Sequence, residues 1–299
     1  MTTKEIPATH DRHDFRLFWL GGAANLLGSH ASALVLPIVV LAVGGSPLAA
    51  GLLGTVGATV EVLVTPFAGV YADRGSRRGL MAVALVVAAI ATGTVAIGIG
   101  THIVSLPLLF ACTVVTGAAT AVYTAAASGA IRAVLPSDRP EAALGALQAR
   151  EQAAKLAGPG VGGGLYQLVA WVPFLADAVS FLVATVCVLA IRSDLRPIQE
   201  PDAEPAAKPN FRAEFAAGLR FLWYQPFLRF VMLWAGGVNL VFGALYFEVI
   251  LVARLRGTPA GAIGLVLTVA GAAGLAGALL APLVLRRVRA AVLVVVASW

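Results

Sequence analysis

The chain has 299 residues, of which 59% are hydrophobic and only 12% charged, and its mean hydropathy is +0.89. Soluble domains average roughly 45–50% apolar and about 25% charged residues, so a globule of this size would lack the polar surface it needs. That excludes a soluble enzyme, a disordered chain and a nucleic-acid-binding domain. The formal net charge of +6 poses instead the question of which side of a bilayer holds the positive residues.

In chain order, residues 1–14 form a polar tail of mixed charge (Lys4, Glu5, Asp11, Arg12, Asp14). The apolar run behind it is too long for the core of a signal peptide. Residues 17–60 and 80–131 contain no Asp, Glu, Lys or Arg. A crossing needs about 20 mostly apolar residues, and turn signals at Gly44-Gly45-Ser46-Pro47 and Gly98–His102 divide the two stretches. The expected helices are at about 15–43, 48–72, 79–99, 103–127, 145–168, 172–191, 228–252 and 258–285. A ninth apolar run begins near Ala290 and stops at Trp299, about half the length of a span, so the chain is expected to be C-terminally incomplete.

Of the 21 Lys and Arg residues, only Arg254 and Arg256 fall in a loop on the far side. This bias predicts a cytoplasmic N-terminus, with every even-to-odd connection facing inward. Residues 193–227 are rich in proline and charge and read as a cytoplasmic linker. It runs into an amphipathic surface helix over Phe211–Phe227, with an extension of the seventh span as the alternative. The linker separates a six-helix bundle at 15–192 from a partial second bundle at 228–299.

The two bundles echo each other. Phe15-Arg16, Gly21-Gly22 and Asn25-Leu26 recur as Leu228-Arg229, Gly236-Gly237 and Asn239-Leu240. Gly51/Gly54 recur as Gly261/Gly264, and Arg77-Arg78 as Arg286-Arg287, at nearly one offset. Two parallel repeats facing one another is a plan of secondary transporters, with the substrate cavity between the halves.

Two segments are more specific. Gly69-Val70-Tyr71-Ala72-Asp73-Arg74-Gly75-Ser76-Arg77-Arg78 places an acid and three arginines in one short inward turn. Gly69 would allow close helix approach, and the arginines would pair Asp73 or bind lipid phosphate. Gly158-Pro159-Gly160-Val161-Gly162-Gly163-Gly164 lies in the middle of the fifth helix. There proline kinks the chain and glycines admit a neighbouring backbone, for rocking or for plain packing.

These segments resemble signatures of the major facilitator superfamily. Gly69, Asp73, Arg74, Arg77 and Arg78 look like its conformational-switch loop, and Gly158, Pro159, Gly162 and Gly163 like its helix-5 antiporter motif. Phe174–Phe181 resembles a run of the macrolide-efflux and enterobactin-exporter branch. The resemblance implies an all-α integral membrane protein of twelve helices, of which this chain holds about eight and half of a ninth. It also implies a proton-coupled exporter of a small amphipathic compound or drug, working by alternating access. Its energy would come from a proton gradient with no cofactor, and it would be a monomer among lipids rather than an enzyme. Two departures stand out: the fourth helix (Leu106–Ala127) and the first helix after Arg16 carry no charge, where drug–proton antiporters of this kind carry an arginine and an acid.

Charged groups within spans mark function by default. Glu61 lies 13 residues past Leu48, roughly 20 Å along a helix, and is expected to carry protons or bind a cationic substrate, with a structural hydrogen bond as the alternative. Asp177 is expected to cap or hydrogen-bond near the outer surface, and Glu248 to pair with Arg254 or reach outward. Lys155 either faces the cavity or pairs with Glu151 four residues earlier, close to Arg150 at the inner end of the fifth helix. Asn25, Ser29 and His30 on the first helix and Asn239 and Tyr246 on the seventh offer polar contacts to a substrate. Cys112 and Cys187 read as buried hydrophobes, His10 and His13 lack further metal ligands, and no phosphate-binding G-x-x-x-x-G-K-[ST] occurs. A truncated non-transporting remnant or scaffold, and a membrane subunit of an ATP-driven transporter, are the rival readings.

Overall fold

The computed structural model describes residues 8–136, 139–195 and 220–285. Eight long helices are found among them: α1 (Ala8–Ala42), α2 (Pro47–Arg74), α3 (Arg77–Gly100), α4 (Leu106–Val134), α5 (Pro140–Leu168), α6 (Val172–Ala190), α7 (Pro226–Leu255) and α8 (Ala260–Leu285). Their starts are written in the chain. Ser46 and Ser76 cap α2 and α3 by accepting from the N–H groups of Ala49 and Gly79. Prolines open α2, α5 and α7 at their first positions, where no amide hydrogen is needed. Gly44 (φ 81°) and Gly257 (φ 78°) take left-handed turns after α1 and α7 that an L side chain resists.

Six helices, α1–α4, α6 and α7, are long and apolar enough to cross a membrane. The expected count of eight such helices is not reached among the described residues. α5 falls short because it carries Glu141, Arg150 and Glu151 in its first half and Lys155 at its middle, while the part of α8 whose side chains are described, Ala260–Ala273, is apolar throughout. Three boundaries also move. α1 begins at Ala8, so helix takes up much of the expected tail. α4 runs on to Val134 and includes Arg132. α5 starts at Pro140, which moves Arg150 ten residues into the helix. The linker from 196 to 219, most of the expected amphipathic helix, Arg286-Arg287 and Ala290–Trp299 lie outside the described residues.

Successive helices run antiparallel, which gives the bundle an Asp73 end and a Gly44 end. The main packing pairs are α2–α4, α4–α3, α3–α6, α6–α1, α1–α5 and α5–α8. The interfaces are built from small residues. One cluster joins Ala84, Ala88, Ala126, Ala130 and Ala184 with Met81, Leu85 and Phe181, and alanines are too short to hold helices apart. Outward-facing apolar residues such as Val83, Ile90, Ile97, Leu182, Val186 and Leu189 are left exposed at helical spacing, a surface suited to acyl chains rather than water.

Near the Gly44 end, Leu34 and Ile38 of α1, Ile250 of α7 and Ala260 and Ile263 of α8 are buried in one cluster, with Tyr166 of α5 against it. Toward the Asp73 end, α7 is exposed over most of Pro226–Val249. Among the described residues the two halves thus meet near the Gly44 end and along α5 as far as Leu156 and Gly271.

Candidate functional site

The fifth helix is the joint. On one side, a Cβ built on Gly158 would overlap His30, and one on Gly162 would overlap the Ala31 carbonyl. On the other side, Gly163 abuts the backbone of Ala260 and Gly261, Gly264 abuts Pro159, and Gly160 meets the Thr268 hydroxyl. Backbone-to-backbone contact on both faces requires glycine, and Gly158, Pro159, Gly162 and Gly163 are all buried. Side chains enter the seam only where a glycine leaves room, His30 at Gly158, Thr268 at Gly160 and Gln167 at Gly261. His30 lies under Gly158 in this seam, so its backbone and Cβ serve packing.

The Asp73 turn is organised by Arg77. Its Nη1 donates to the Gly129 carbonyl of α4 (2.9 Å), Nε to the Ala72 carbonyl (3.3 Å) and Nη2 to the Asp73 carboxylate (3.3 Å). Arg77 is mostly covered, whereas Asp73 is 75% exposed. Arg78 reaches instead to the Ser193 carbonyl behind α6 (2.7 Å). Gly69 has open space where its Cβ would stand, so the close approach expected there is not made among the described residues. The Arg74 side chain lies outside them.

A second clamp, absent from the sequence reading, holds the same end. Asp14 is fully buried, and its carboxylate accepts from the N–H groups of Arg192 (3.1 Å) and Ser193 (2.7 Å) and from the Ser193 hydroxyl. The start of α1 therefore satisfies the chain leaving α6, just where the linker begins. An isolated acid near a helix start gave no signal of this, because its partners lie about 180 residues away in sequence.

The four expected acids and bases go to different places. Glu61 is half-buried and lines a small cavity of about 210 Å³ with Thr92, Thr113, Thr116 and Thr120, between α2, α3 and α4. Gly57 and Gly117 make that site possible, since a Cβ on Gly117 would lie 2.9 Å from the Gly57 carbonyl oxygen. Of its two expected roles, Asp177 takes hydrogen bonding rather than capping. It is 3% exposed between α6 and α1, where it accepts from Ser32 (2.6 Å) and more distantly from Ser29 and Ser180 (3.4 Å each). Burial in an apolar bundle needs such donors, and three serines supply them. Glu248 is exposed and makes no ion pair with Arg254 among the described residues. Six residues further on, Arg254 is turned well away around the helix. Lys155 pairs with Glu151 at 2.6 Å.

Of the expected substrate contacts, Asn25 is buried and accepts from Ser29 (3.4 Å), whereas Asn239 is exposed and donates back to the Ala235 carbonyl (2.8 Å). The repeated asparagines are therefore not equivalent. Asn25 lines the larger cavity near the Asp73 end, about 430 Å³ between α1, α4 and α5, together with Phe18, Tyr123, Gln148 and Arg150.

The family model described as Major Facilitator Superfamily matches residues 18–298. No curated protein matches the chain.

Proposed function

The chain belongs to the major facilitator superfamily, a family of secondary transporters, and on that premise we propose that it exports a small amphipathic compound in exchange for protons. In this reading α1–α8 all cross a bacterial inner membrane with the N-terminus in the cytoplasm, and the protein acts as a monomer. The lipids around it and the proton gradient are its other partners, and the run Phe174–Phe181, which resembles one of the macrolide-efflux and enterobactin-exporter branch, supports export. One observation supports the proposal: α5 meets both α1 and α8 through glycine backbone, and the two halves also share an apolar cluster near the Gly44 end. A joint of that kind lets one bundle rock on the other.

Glu61 is the proton carrier in this proposal. It is the acid in a threonine-lined cavity within the first bundle, and its carboxylate has no hydrogen-bond partner among the described residues, so a proton can be gained or lost without breaking a fixed contact. Asp177, fastened by serines, is a structural group, and the Asp73–Arg77 turn anchors α2 to α4 at the cytoplasmic face.

Everted membrane vesicles energised with a proton gradient and offered cationic, neutral and anionic amphipathic dyes test this. Gradient-dependent uptake of at least one dye is expected. Movement of none would leave the scaffold reading in its place, and full uptake by a normally expressed Glu61→Gln variant would remove Glu61 from the mechanism.

A further inference from the structure

Arg150 lies ten residues into α5, about 15 Å along its axis, and is half-buried. Gly22 makes room for it, since a Cβ there would fall on the guanidinium. Nη1 donates to the carbonyl oxygens of Phe18 (3.1 Å) and Trp19 (3.2 Å), and the guanidinium carbon stands 5.8 Å from the Phe18 ring centroid. Nε is enclosed with no hydrogen-bond partner among the described residues. These contacts are all to neutral groups. No described carboxylate lies within 4.0 Å of Arg150, and the nearest acid in sequence, Glu151, is held by Lys155 at 2.6 Å. A guanidinium remains charged at any physiological pH, and in an apolar bundle an unpaired charge is costly. It therefore calls for a counter-ion.

The cavity that Arg150 lines is large enough to supply one. Its volume of about 430 Å³ is bounded by polar Asn25, Tyr123 and Gln148, by apolar Leu26, Ile131, Leu144 and Leu147, and by Glu151, whose carboxylate is taken up by Lys155 at 2.6 Å. We propose that this cavity binds an amphipathic organic carboxylate, with its anionic head at Arg150 and its apolar body against Leu144 and Leu147. With Nη1 on the two carbonyls and Nε enclosed, Nη2 is the nitrogen that can donate to a carboxylate oxygen, while Asn25 and Tyr123 add hydrogen-bonding groups beside the head. The leucines and Ile131 favour a flat or branched hydrocarbon over a sugar. The inference rests on the transporter reading for its purpose, because it names the class of substrate carried.

The full chain in nanodiscs of zwitterionic lipid is titrated with 2-naphthoate and with its neutral counterpart 2-naphthylmethanol, by equilibrium dialysis. Naphthoate is expected to bind about tenfold or more tightly than the alcohol, as for a hydrogen-bonded ion pair. Arg150→Gln should erase that preference and leave alcohol binding in place, while Arg150→Lys should keep part of it. Should Arg150→Gln fail to fold, Leu147→Trp, which fills the apolar wall, should weaken both ligands. Equal wild-type affinities, a preference that survives Arg150→Gln, or indifference to Leu147→Trp would overturn the proposal. So would loss of naphthoate binding when phosphatidylglycerol is added, since the cavity would then be a lipid headgroup site. No gradient enters this measurement. A failure here leaves dye uptake standing, and a failure of dye uptake leaves carboxylate binding standing.

Discussion

Gly162 of α5 faces the carbonyl oxygen of Ala31 on α1 with no space between them for even a methyl group. Two turns of helix are held together here by the absence of side chains. The neighbouring Gly163 does the same toward Ala260 of α8, so one short run of glycines joins both halves of the molecule. Gly164, next in the run, meets nothing within 4 Å.

Gly162→Leu should therefore destabilise the protein where Gly164→Leu does not. Overpacking costs about 1–3 kcal/mol, and in detergent the Gly162 variant should unfold at a clearly lower temperature. The Gly164 variant should match the wild type or rise slightly, because leucine favours helix more than glycine does. Equal behaviour of the two would mean that α5 does not sit on α1 as described.

Asp14→Asn keeps one acceptor oxygen but turns the other into an NH2 facing the donors of Arg192 and Ser193. A loss of about 1–3 kcal/mol is expected, read as a lower unfolding temperature and faster proteolysis just after α6. Asp73→Asn is the comparison. Asp73 is 75% exposed and joined to Arg77 by one 3.3 Å contact, so its replacement should change stability by no more than about 0.5 kcal/mol.

Around Asp177 the distances set an order. Ser32→Ala removes a 2.6 Å hydrogen bond and should cost about 1 kcal/mol, whereas Ser29→Ala removes a hydroxyl shared between Asp177 and Asn25 at 3.4 Å each and should cost less. Chemical denaturation of the two variants in the same detergent measures the difference. A larger loss at Ser29 would contradict the placement of the carboxylate between α1 and α6.

Much of this molecule could be read from its chain. Uninterrupted apolar runs with serine, proline and glycine at their ends mark where helices start and stop, because capping and turn chemistry act over only three or four residues. The Gly69–Arg78 turn and the Gly158–Gly164 run were visible as patterns of residue type, and the pair Glu151–Lys155 followed from helical spacing alone.

What each helix shows to its neighbours was decided only in three dimensions. A span that is apolar all round has no stripe to tell its buried side from its lipid side. The chain alone therefore gave no means of turning Asp177 toward the serines of α1, Glu61 toward a threonine-lined cavity, or Asn25 inward while Asn239 looks out. Asp14 and Arg150 were missed for the same reason: their partners are backbone groups of distant segments, Arg192 and Ser193 for one, Phe18 and Trp19 for the other. Local sequence sets hydrogen bonds along a helix, but the packing of one helix on another brings a carbonyl or an amide to a charged side chain more than a hundred residues away.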